Sequence, residues 1–99
     1  MTLTEEKRSH LQSLYAGRRR MFLQQHHPQT YAAMEEAGTL ETHLLQTGED
    51  AANLYETIID QMNERADAMT SQADRTSYLL SAPQVASEMI NTDIIYAAP

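Results

Sequence analysis

The side chains best equipped for chemistry in this chain are four histidines, at positions 10, 26, 27 and 43, and three consecutive arginines, Arg18, Arg19 and Arg20. Histidines converging on one point would hold a metal such as zinc. His26 and His27 are neighbours, however, and side chains one residue apart on a helix diverge. His43 joins them only if the chain folds back at Gly38. No His-Glu-x-x-His spacing occurs, so no metal ligand is assigned. The histidines read as capping and surface residues, with His26 tying the end of the first helix to its neighbour.

Nucleophilic hydrolysis has no better footing. None of the serines and threonines lies in a Gly-flanked elbow, no Gly-rich loop is present to cradle a phosphate, and there is no cysteine to supply a thiolate or a disulfide. The expectation is a non-enzyme with no catalytic residue, no cofactor and no small-molecule ligand.

The arginine triplet carries a different chemistry, contact of a helix face with phosphates, the sequence-independent part of DNA binding. On the apolar pattern around it, Arg18 projects near the middle of the stripe and serves the fold, while Arg19 and Arg20 point outward. Two features oppose the DNA reading. The formal net charge is -7, and the turn at Gly38 follows a helix too short for a helix-turn-helix, with Glu41 opening the next.

Charge is divided unevenly. Lys7, Arg8 and the triplet against Glu5 and Glu6 leave residues 1 to 34 at +3, and the remainder, two arginines against twelve acids, at -10. Glu49, Glu56, Asp60, Glu64 and Asp67 fall on one side of the longest helix. That side is a candidate interaction face for a basic protein, with plain solvation as the simpler role.

The element that must position these groups runs from Thr39 to Met69. Leu40, Leu44, Thr47, Ala51, Leu54, Ile58, Met62 and Met69 recur alternately four and three apart, a bundle seam, and Leu45, Ala52, Ile59 and Ala66 form a second row about 100° further round. A face that wide needs two neighbours. At about 1.5 Å per residue the helix would span roughly 46 Å. Gly48 falls opposite the seam and should cost at most a local bend.

Before it, a helix starts at the Thr2 to Glu5 capping box, presents Leu3, Leu11, Leu14, Tyr15, Met21 and Phe22, and ends near Gln25 because Pro28 restricts His27. A short helix follows from Pro28 to Gly38, a left-handed cap, and Thr39 caps the long helix. After it, Thr70 to Gln72 is the place to turn back. Tyr78, Ala82, Val85, Met89 and Tyr96 then keep one helical phase across Pro83, which is either a kink or a restart. With 17 Leu, Ile, Val and Phe in 99 residues the core is thin, and a second copy or another protein would complete it. The fold expected is all-α, a small three- or four-helix bundle built on one long central helix, as a single domain over residues 1 to 99. No apolar run reaches the ~18 to 20 residues of a membrane span, so the cytoplasm is the default.

The run Tyr15, Arg19, Phe22, Leu23, His26, Pro28 and Tyr31, followed by Gly38-Thr39-Leu40 and His43-Leu44, resembles the transposon-encoded TnpV proteins. In these an F-L-x-x-H-x-P-x-x-Y stretch leads to G-x-L-x-x-H-L, and the ending Asp93-Ile94-Ile95-Tyr96 is similar to their E-L-I-Y. Tyr78, Pro83 and Arg18 depart from that pattern. The resemblance implies a small accessory protein of bacterial mobile elements with no established enzymatic role, and it offers no catalytic residues to carry over. The function expected is a helical protein-protein interaction module, with a DNA-binding accessory factor in transposition or excision as the alternative.

Overall fold

A computed structural model describes residues 3 to 99, and among these there are only helices, turns and a short tail. Five α-helices follow one another: α1 Glu5–His26, α2 Pro28–Ala37, α3 Leu40–Asp67, α4 Gln72–Leu80 and α5 Ala82–Ile90, then a single π-helical turn, Asn91–Ile95. Since α4 and α5 are the two halves of the interrupted last segment, the chain is the expected all-helical bundle built on a long central α3. It is flat, with extents of 55 × 26 × 14 Å.

The boundaries follow local chemistry. Helix α1 is capped by Thr4, whose hydroxyl accepts from the Lys7 amide, rather than by Thr2, which lies outside the described residues. Gly38 adopts φ 74°, and the Gly38 and Thr39 amides donate to the carbonyls of Glu35 and Met34, a Schellman closure of α2 that a Cβ would strain. Thr39 does occupy the cap position of α3, but its hydroxyl donates back to Met34 instead of capping forward. Ser71 opens α4 by accepting from the Asp74 amide. Pro83 marks a restart: α4 ends at Leu80, and the proline sits in the first turn of α5, where its missing N–H is not needed.

Helices α1 and α3 run antiparallel, with Arg8 beside Asn53 and Glu56 near one end and Arg20 beside Glu41 near the other. The core lies on α3 between α1 and α5, from Leu11 and Tyr15 through Ala51, Tyr55 and Ile58 to Ala86, Ile90 and Ile95. The seam on α3 is largely as expected, with Leu54 and Met69 only half-buried.

Three expectations fail. Gly48 is not opposite the seam but buried in it. A Cβ there would stand 2.5 Å from the Gln12 carbonyl oxygen, so glycine is what lets α1 cross this close. In the second row Ala52 and Ala66 are buried, but Leu45 is 73% exposed, because beside it on α1 Ser13, Ala16 and Gly17 are too small to cover a leucine and Arg20 is turned to Glu41 and Tyr31. On α1 the buried row is Leu11, Tyr15, Arg19 and Leu23, in steps of four, while Leu14 and Met21 are exposed. A four-step ridge inclines across the helix and meets α3 along its crossing, which a straight stripe does not.

Candidate functional site

The third correction moves the arginines. Arg19, expected to point outward, is the buried one, 4% exposed, and Arg18, expected to be structural, is only half-buried. Consecutive helix residues must diverge, and each of these three has its own set of partners. Arg18 lies over the Tyr15 ring at 5.1 Å and donates to the Ser87 hydroxyl on α5 at 3.4 Å. Arg20 donates to Glu41 at 2.7 Å and to the Tyr31 hydroxyl at 3.2 Å, and these bonds raise its pKa.

Arg19 closes the end of the bundle. Its Nη1 donates to the carbonyls of Ile95 at 2.9 Å and Ala97 at 2.5 Å, with Ile94 at 3.5 Å, and its Nε donates to His43 Nε2 at 3.2 Å. The carbonyls ending a helical segment carry partial negative charge and have no intrahelical donors. A guanidinium reaching them from another helix satisfies both needs. Burial lowers the pKa of Arg19, but a guanidinium stays charged, so the carbonyls and the imidazole must solvate it. His43 Nε2 can accept only on a neutral ring protonated at Nδ1. Burial, and after it the charge of Arg19, lowers the His43 pKa and favours that form.

The held terminus brings the aromatics together. Tyr96 stands 5.5 Å from Phe22, whose ring also meets His26 at 5.2 Å and His27 at 5.3 Å, while Arg19 lies 5.6 Å from the ring centre. Beside them is an open groove of 320 Å³ lined by Arg18, Met21, Phe22, Gln25, His26 and Tyr96. The short motifs, far apart in the chain, thus meet at one end. His26 contacts Phe22 within its own helix, and it is Arg19 and Arg20 that join α1 to its neighbours there.

The acids divide. Glu49, Glu64 and Asp67 are exposed, Glu56 turns toward α1 with its carboxylate 3.5 Å from Arg8 Nη1, and Asp60 is half-buried. Among the described residues no three His, Asp or Glu side chains gather to hold a metal ion, and no helix is long and apolar enough to cross a membrane. Sequence reasoning singled out Arg19 but turned it outward, although Tyr15, Arg19 and Leu23 stand in four-residue steps. It missed Arg75, whose Nε and Nη2 donate to the carbonyls of Ala66 and Met69 at 3.0 and 2.7 Å, closing the C-terminal end of α3 in the same manner.

Compared with known proteins, the chain matches the family described as transposon-encoded protein TnpV over residues 1–95. No curated protein and no solved structure matches it.

Proposed function

Because the chain belongs to the TnpV family of transposon-encoded proteins, we propose that it is a non-enzymatic, cytoplasmic accessory protein of a bacterial mobile element that acts as a helical protein-protein interaction module. One observation carries the reading. Leu14, Met21, Leu45, Leu80, Met89 and Tyr96 are exposed on a small protein of net charge -7, and two of them, Met21 and Tyr96, meet with Phe22 on one open groove, the kind of grouped apolar surface that a partner covers. The triplet supports the same choice, since Arg19 is committed to the C-terminal carbonyls and Arg20 to Glu41 and Tyr31.

A DNA-binding accessory factor is the second reading, and what favours it is Arg18, half-buried on the rim of the aromatic groove with one 3.4 Å hydrogen bond. Pull-down from the native host, with the element's DNA present and then removed by nuclease, separates the two. Protein captured after nuclease treatment supports the module. Capture that disappears with the DNA overturns it in favour of the second reading.

A further inference from the structure

The chain has no cysteine, so the sulfur an oxidant meets is methionine thioether. Access to it varies widely among the described residues. Met62 is 6% exposed inside the core, Met34 and Met69 are half-buried, and Met89 and Met21 stand out at 42% and 56%. Of the two exposed ones, Met21 lines the aromatic groove at the end of the bundle with Phe22 and Tyr96, and Met89 lies outside it. Helix geometry sets the neighbours of Met21. Arg18 comes three residues before it and Gln25 four after, so both share its face of α1, and both line the same groove. Among the described residues no acid lines it. An oxygen placed on this sulfur is an acceptor on a face that holds donors, the Gln25 amide and the Arg18 guanidinium, whose five N–H groups are engaged by one 3.4 Å bond to Ser87.

We propose that Met21 is a reversible oxidation site for a hydroperoxide, through which oxidation turns the wall of the partner groove from apolar to polar and releases the partner. The inference rests on the interaction reading and adds its regulation. In the step, a sulfur lone pair takes one oxygen of hydrogen peroxide. The S–O bond forms, the O–O bond breaks, sulfur loses two electrons, and the peroxide leaves as water. Reversal falls to a methionine sulfoxide reductase, in which two thiols become a disulfide and the oxygen departs as water. In the free chain the sulfoxide stays at an exposed position, with water, Arg18 and Gln25 as donors, so the fold is undisturbed. An apolar partner surface offers it no donor, and docking would strip its water. The coupling runs both ways, since a docked partner shields the sulfur from the peroxide.

The full chain is treated with hydrogen peroxide, freed of it, and followed by peptide mass mapping, thermal melts and capture from nuclease-treated host lysate. Met21 should gain one oxygen ahead of Met62, with the melting temperature unchanged. Capture should fall by about tenfold or more, the effect of an unpaired polar group in a dry contact, and return after treatment with the reductase. Met21→Leu should hold after peroxide whatever capture it had before, although its other methionines are still oxidised, whereas Met89→Leu should lose capture as the parent does. Met21→Gln, which fixes a polar amide in place of the sulfoxide, should lose capture without peroxide. Undiminished capture by a chain fully oxidised at Met21 overturns the proposal, as does an equal loss in peroxide-treated Met21→Leu or capture by Met21→Gln at parent strength. A reduced parent that captures nothing overturns the interaction reading itself, whereas capture that is present and indifferent to oxidation overturns the oxidation site alone.

Discussion

Arg19 Nε donates to His43 Nε2 across 3.2 Å, joining α1 to α3, while the other arm of the same guanidinium holds the carbonyls of Ile95 and Ala97. One buried cation therefore ties three parts of the chain through backbone carbonyls and an imidazole. Arg19→Met should remove these charged hydrogen bonds and cost on the order of 3 kcal/mol. Lysine should not rescue it, since an ammonium cannot reproduce the fork. Thermal melts measure the cost, and amide exchange should show residues 91 to 97 losing protection first.

The same contact predicts a pH dependence. In the folded chain the His43 pKa lies below its usual 6.5, from burial first and Arg19 second. Between the folded value and 6.5 the unfolded chain binds more protons, so this contribution is complete above about pH 6.5 and is lost as the pH falls toward the folded value. His43→Gln, which keeps an acceptor but does not titrate, should show a smaller fall in melting temperature from pH 7 to 5 than the parent. An equal fall in both would remove His43 as the cause.

At the crossing of α1 and α3, Gly48→Ala should destabilise by about 1 to 3 kcal/mol, because its Cβ meets a backbone carbonyl that cannot rotate away. A chain that melts at the parent temperature would mean that the helices separate at no cost.

Ile58, 4% exposed in the centre of the core, tests the seam. Ile58→Ala should cost about 2 to 4 kcal/mol, a large part of what so small a protein has in reserve. A melt within a degree or two of the parent would contradict the central placement of α3.

Any grip of the arginine triplet on DNA must come from Arg18, and from Arg20 only if it leaves Glu41 and Tyr31, since Arg19 is buried. Two phosphates give a log-log salt slope no steeper than about -2. Filter binding to the element's ends should show either no salt-dependent binding below ~10 μM at low salt, or a slope within that bound that Arg18→Gln with Arg20→Gln abolishes. A steeper slope from the triplet would require Arg19 to leave its site.

The long helix, its main seam, the Gly38 cap and the turn near Ser71 were legible because each rests on local rules of period and capping. What was not legible depends on where helices cross. Arg19 and Arg18 differ by one position, and a rotation of 100° exchanges their roles; only the approach of α3 and the C-terminal carbonyls decides which is inside. Gly48 looked permissive from sequence, since its value lies in the Gln12 carbonyl of another helix. Leu45 looked buried for the converse reason, its neighbours on α1 being too small, or turned elsewhere, to cover it. The π-helical turn carries no sequence period and follows from the bond between the Tyr96 amide and the Asn91 carbonyl, 2.8 Å.

On the proposed function, exposed apolar side chains and not the arginine triplet are the working surface. The direct measurement is capture from nuclease-treated host lysate by the parent, by Met21→Glu with Leu80→Glu, and by Arg18→Gln with Arg20→Gln, each first shown to melt near the parent temperature. The apolar pair of substitutions should abolish capture of the partner and the arginine pair should leave it intact. The opposite pattern, with capture surviving the glutamates and lost with the arginines, would contradict the account.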